Sequence, residues 1–173
     1  MNEDFDEGLT QEKILELFFE MGGSLDKINT AIDDRLFKNR TRKITTFEMF
    51  IKSRIETNPK VLKMAKMEID FVEAIYLSQY PALKDLEILD LRQNPILDSG
   101  LIALCNSEVL KNIKELDIRN CTITRDGLVA LSESETLSQL EKLDARMNRL
   151  GKRWEEKLMG LPNLPNLKEV KVL

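Results

Sequence analysis

The sequence predicts an α/β fold: strand–helix units stacked into a short solenoid, preceded by an N-terminal α-helical cap region. Three observations carry this. Apolar motifs recur 27 residues apart through the second half of the chain. Within each motif the apolar residues alternate with period two, as in a short strand with one buried face. An apolar segment with helical spacing follows each of the first two motifs. A strand and a helix of this size cannot bury their apolar sides alone, so neighbouring copies must build the core together.

In chain order, Thr10 can cap a first helix reaching Met21, with Ile14, Leu15, Leu17, Phe18 and Met21 as its apolar stripe. Gly22-Gly23 stops it. Ser24 can cap a second helix that places Leu25, Ile28, Ile32, Leu36 and Phe37 on one face. A polar, basic loop follows from Lys38 to Lys43. A third helix is expected from Thr46 to Thr57, with Phe47, Phe50, Ile51 and Ile55 inward. These residues form an N-terminal helical region over 1–58.

Residues 59–82 admit two readings. Asn58-Pro59 has the form of an N-cap and first helical position. The apolar residues Val61, Leu62, Ala65, Ile69, Val72, Ile75 and Tyr76 keep helical period to about Ser78. Shifting the later repeat back by 27 residues instead places Leu62, Met64, Met67 and Ile69 on its apolar positions, as a degenerate first repeat. The Asn-Pro start and the long stripe favour the helix. In either form this segment should cap the first strand.

Repeats occupy 83–173. Leu86-x-x-Leu89-x-Leu91-x-x-Asn94-x-Ile96 is followed by Ile113-x-x-Leu116-x-Ile118-x-x-Cys121-x-Ile123. Leu140-x-x-Leu143-x-Ala145-x-x-Asn148-x-Leu150 comes next, and the chain ends on Leu167-x-x-Val170-x-Val172. Leu89, Leu116, Leu143 and Val170 are 27 apart each time. The helical pieces repeat too: Gly100-Leu101-Ile102-Ala103-Leu104 matches Gly127-Leu128-Val129-Ala130-Leu131. The third copy departs, with Ala145 at the central apolar position and Gly151 to Leu158 in place of the Gly-Leu helix start. Trp154 there either covers the end of the core or is exposed for a partner.

These motifs resemble the leucine-rich repeats of the ribonuclease-inhibitor-like class, over about Leu83 to Leu173. The resemblance implies four parallel strands on a concave side and helices on the convex side. It also implies partner binding through the concave face.

Composition removes most catalytic chemistry. The chain has 173 residues and no His, which excludes Ser-His-Asp triads, Cys-His dyads and His-ligated zinc. Two Cys exclude the Cys₃ and Cys₄ zinc sites. Cys105 and Cys121 sit in apolar patterns and read as free structural thiols, which suits a reducing, cytoplasmic setting. No phosphate-binding glycine loop, metalloprotease motif or calcium loop occurs, so no cofactor or metal is expected. Asp33-Asp34 and Glu155-Glu156 are adjacent pairs and do not share a helix face, so they read as solvated charge. No apolar run approaches the roughly 20 residues of a membrane span, and the acidic N-terminus is not a signal peptide. An enzyme is not expected, nor is a membrane protein.

The positions between the buried strand residues form columns. Asp90, Asp117, Asp144 and Lys171 make one; Arg92, Arg119 and Arg146 make the next; Ile88, Glu115, Lys142 and Glu169 make a third. Neighbouring strands lie about 4.8 Å apart, so this is a grid of alternating charge. It reads either as a docking face for a protein partner or as an internal salt-bridge ladder. Asp90, Arg92, Asp117, Arg119, Asp144, Arg146 and Lys171 are the candidate contacts. The last strand motif has no cap after it, which suggests burial in a larger assembly. The expected function is a non-catalytic interaction or scaffold subunit. A nucleic-acid-binding adaptor is the alternative, through Lys38, Arg40, Arg42 and Lys43; their setting resembles a helix-turn-helix by pattern only. A net charge of −4 weighs against it.

Overall fold

The computed structural model describes residues 11–36 and 40–173. Of the residues singled out above, Thr10, Phe37, Lys38 and Asn39 lie outside them. The chain forms two compact units, Met1–Phe50 and Ile51–Leu173.

In the first unit, helix α1 (Gln11–Glu20) buries Ile14 and Leu17. It ends at Gly22 and Gly23, whose φ values of 59° and 75° suit glycine. Helix α2 (Leu25–Leu36) buries Ile28 and Ile32. Helix α3 (Ile44–Thr57) starts in the first unit, continues into the second, and begins two residues before the expected Thr46. The reason is a cap distant in sequence. Asp33 accepts the Ile44 N–H at 2.6 Å and also takes bonds from the Thr45 N–H and hydroxyl. Asp33 is therefore not the solvated charge that its pairing with Asp34 suggested. Asn29 donates to Glu48 at 2.5 Å, which satisfies a buried carboxylate.

The second unit is a five-stranded parallel sheet in the order β1-β2-β3-β4-β5. The strands are β1 (Val61–Lys63), β2 (Ile88–Asp90), β3 (Glu115–Asp117), β4 (Lys142–Asp144) and β5 (Glu169–Lys171). Between them run α4 (Phe71–Gln79), α5 (Leu97–Cys105), α6 (Arg125–Ser132) and α7 (Arg153–Leu158). Five strands form rather than four, because residues 59–78 are a strand and a helix, not one long helix. Asn58 accepts the Lys60 N–H on its side chain and the Val61 N–H on its carbonyl, so Asn-Pro makes a turn. The Lys60 carbonyl then accepts both Glu87 and Ile88 N–H groups, and Met64 donates to Asp90. Pairing with β2 overrides the local helical pattern. Helix α4 starts at Asp70 with a capping box. Asp70 accepts from Glu73 N–H at 2.9 Å, and Glu73 accepts from Asp70 N–H at 3.2 Å.

The register is 27 residues at every seam: Leu62, Leu89, Leu116, Leu143 and Val170 stand side by side. The first four are buried, as are Leu91, Ile118, Ala145 and Val172 two residues after the central position. Small Ala145 keeps its place in this row and is fully covered.

Each unit turns after its strand, and the corner is held by side chains. Asn148 accepts from Cys121 and Ile123 N–H at 2.8 and 3.1 Å and donates to the Ile118 and Ala145 carbonyls at 2.8 and 2.9 Å. Asn94 does the same for Met67, Ile69, Met64 and Leu91. Cys121 holds the corresponding place between them, and its thiol donates to the Leu91 carbonyl at 3.1 Å. On the helical side, Ser107 donates to the Ser78 carbonyl and Ser134 to the Cys105 carbonyl.

Two outcomes follow. Asn148→Ala strips partners from buried N–H and C=O groups of two successive corners, and should cost about 3 kcal/mol in urea unfolding. Burial pushes the Cys105 thiol up to about 12 and the Cys121 thiol up to about 11. Both should resist iodoacetamide at about pH 8 in the folded protein and react once unfolded, read by mass spectrometry.

Candidate functional site

The open face of the sheet carries the charged columns. Strand alternation buries Leu89, Leu116 and Leu143 on one side and turns the flanking residues to the other. Pairing in register places Asp90 beside Asp117, Asp117 beside Asp144, and Asp144 beside Lys171. Ile88, Glu115, Lys142 and Glu169 align likewise.

The arginines lie close to the aspartates of their own strands. Arg119 makes a forked contact with Asp117, Nε at 3.0 Å and Nη2 at 2.6 Å. Arg146 does the same with Asp144, Nε at 2.9 Å and Nη2 at 2.7 Å. Arg92 approaches Asp90 at 3.5 Å. Each aspartate also accepts the backbone N–H two residues on. Arg119 Nε reaches across to Asp144 at 3.5 Å, and so links two strands. Lys142 bonds Glu115 across one seam at 3.0 Å, while Lys171 bonds Glu169 within β5 at 2.5 Å. The expected ladder thus exists, but its arginine–aspartate pairs run mostly along the strands.

The electrostatics follow from these contacts. The Asp117 carboxylate raises the Arg119 guanidinium against the opposing effect of partial burial, and Asp144 raises Arg146. Glu115 raises Lys142. Burial opposes ionisation of Asp144, yet hydrogen bonds from Arg146 and the charge of Arg119 hold it below its ordinary value. Lys171 holds Glu169 low. A row of aspartates can stand on adjacent strands because an arginine row faces it. On the other side of the aspartate row, toward the column of Ile88, Glu115, Lys142 and Glu169, is a groove of about 270 Å³, whose charged walls include Asp90, Glu115, Asp117, Lys142 and Asp144.

Sequence reasoning missed a further column. Lys60, Glu87, Lys114, Glu141 and Lys168 are also 27 apart, one residue before each strand. Glu87 bonds Lys60 at 3.0 Å and Lys114 at 3.1 Å, and Lys168 bonds Glu141 at 3.2 Å. The same offset arithmetic that found the other columns would have found this one.

Of the basic loop in the first unit, Arg42 stacks over Phe47 and Phe50 at 5.5 and 5.8 Å, and Arg40 is half-buried. Lys43 is exposed. Trp154 is half-buried, with the Lys157 ammonium 4.3 Å over its ring. No three carboxylates or thiols among the described residues converge as a metal site. No helix among them is long and apolar enough to cross a membrane.

Residues 82–105 and 109–132 match the family model described as a leucine-rich repeat. These two segments are leucine-rich repeats. Their strand, corner and helix follow the ribonuclease-inhibitor-like pattern that the spacing suggested. A solved structure titled as the tropomodulin C-terminal domain of Caenorhabditis elegans is similar in fold, with a TM-score of 0.55 and 22% identity. The match covers 73% of this chain and 81% of that one. No curated protein matches the sequence. In leucine-rich-repeat domains the strand face is a common protein-binding surface, and here that face holds the charged grid.

Side-chain hydrogen bonds from Lys60 and Lys114 hold Glu87 below its ordinary value. A carboxylate lowered on folding contributes stability when ionised in both states, and that contribution is lost as pH falls through its folded value. Thermal melts from about pH 6 to pH 3 should therefore show a shallower loss for Glu87→Gln than for the native chain.

Proposed function

We propose that this protein is a non-catalytic binding module that docks a protein partner on the concave strand face of its leucine-rich repeats. The observation that supports it most is the preorganised charge. Arg119 and Arg146 are each forked onto their own strand's aspartate, so their heads have fixed positions before any partner arrives. Ordering such long side chains otherwise costs roughly 0.5–1.5 kcal/mol each on association. A rigid grid of paired charge recognises a matching pattern and orients it, and it adds specificity more than raw affinity. Arg92, Asp117, Arg119, Asp144, Arg146 and Lys171 form this contact surface, and Asp90, which is itself buried, supports it through Arg92. The buried Cys105 and Cys121 thiols suit a reducing compartment, where the module would act as a scaffold and one subunit of a larger assembly.

Arg92 and Lys171 are the best probes, since their side chains are 44% and 49% exposed and outside the Arg119 bridge. Affinity purification of tagged native chain and of the Arg92→Glu/Lys171→Glu variant, followed by mass spectrometry, tests the face. The variant should melt like the native chain and lose the proteins the native chain recovers. Recovery of the same proteins at the same level would overturn the proposal.

A further inference from the structure

The helical side of the repeats is closed at two seams and open at the third. Gly100, Gly127 and Trp154 occupy the same place in successive units, 27 residues apart. A Cβ on Gly100 would stand 2.9 Å from Ala74 Cβ. A Cβ on Gly127 would stand 2.5 Å from Asp98 Oδ1 and 3.2 Å from Leu101 Cδ2. These glycines let α5 close on α4 and α6 close on α5. Trp154 cannot be accommodated that way. Helix α7 makes only sparse contact with α6, and a concavity of about 640 Å³ lies at the corner between the last two complete repeats.

Its lining has a definite chemistry. Met147 is 67% exposed and Trp154 half-buried, so an apolar wall faces solvent. Thr122 adds a hydroxyl, and Arg125 and Arg149 add two cations, all exposed, while the Thr124 hydroxyl is donated to Asp98. No carboxylate lines the concavity. On the strand face every arginine has an aspartate partner. Arg125 and Arg149 have no carboxylate within ion-pair distance among the described residues.

We propose that this groove binds an acidic peptide segment of a partner protein, independently of the concave strand face. One aromatic or aliphatic side chain of the segment lies between Met147 and Trp154. Flanking carboxylates meet Arg125 and Arg149. The charge pattern selects this occupant. Two cations beside an apolar wall match carboxylates spaced around one apolar anchor. A nucleic acid needs a longer row of phosphate contacts, and the chain's net charge of −4 repels it. A basic segment would face two uncompensated arginines.

Trp154 is the only tryptophan, so its fluorescence reports on the groove alone. The full chain is titrated with a synthetic peptide holding one phenylalanine flanked by aspartates and glutamates. The same peptide with lysines replacing the acids, and a single-stranded oligonucleotide, serve as comparisons. The acidic peptide should change the emission saturably and lose affinity as salt rises. Arg125→Glu/Arg149→Glu should weaken binding tenfold or more with an unchanged melting temperature. Arg92→Glu/Lys171→Glu should bind the peptide as the native chain does, which separates this groove from the strand face. Absence of a saturable change with the acidic peptide would overturn the proposal. So would an equal response to the lysine peptide, tighter binding of the oligonucleotide, or undiminished binding by the Arg125/Arg149 variant.

Discussion

Every unit of the repeat must turn a corner after a strand of three residues, and the backbone groups freed there lie inside the core. An unpaired buried N–H or C=O costs about as much as a hydrogen bond is worth, so each corner needs an internal partner. Asn94 and Asn148 supply it with both ends of one amide. Each serves its own corner and the corner before it. Cys121, standing between them, donates through its thiol to the corner behind. This stitching ties one unit to the next in the same direction as the parallel ladder. The strict 27-residue register, and everything aligned by it, depends on these ties.

The charged face is one such consequence. Identical spacing brings three aspartates onto adjacent strands, which alone would be repulsive. The arginine two positions on lies on the same face and answers each one. The result is a surface that is highly charged and internally balanced. The edge column of Lys60, Glu87 and Lys114 obeys the same rule by alternating sign from strand to strand. On the opposite side the register aligns glycines. They permit close helix approach until the series is broken by Trp154, and the opening there has an unbalanced pair of arginines. Balanced and unbalanced charge therefore mark two different surfaces of one repeat array.

Much of this was legible in advance. Four strand motifs, their phase and the membership of the charged columns follow from counting residues. Three features did not follow. Val61–Lys63 looks helical because Val61, Leu62 and Ala65 fit a stripe, and only the hydrogen bonds to Glu87, Ile88 and Asp90 make it a strand. The start of α3 rests on Asp33, eleven residues away from Ile44, which no local pattern reveals. The Asp70–Glu73 capping box was readable, but the favoured long helix ran through it. The ion-pair partners were also ambiguous. Column membership does not say whether Arg119 binds Asp117 along its strand or Asp144 across the seam, and the side chain does both.

By itself the sequence determined the period, the apolar positions and the charge carried at each place in the unit. These are set by residue identity and by the two-residue repeat of a strand. Tertiary structure alone decided where the sheet begins, which carboxylate caps which helix, and how the charges pair. It also decided that α7, which carries Trp154 in the place of the earlier glycines, makes little contact with α6. Those outcomes depend on groups far apart in the chain meeting in space. Their energies come from burial and hydrogen bonds that no local stretch of residues possesses.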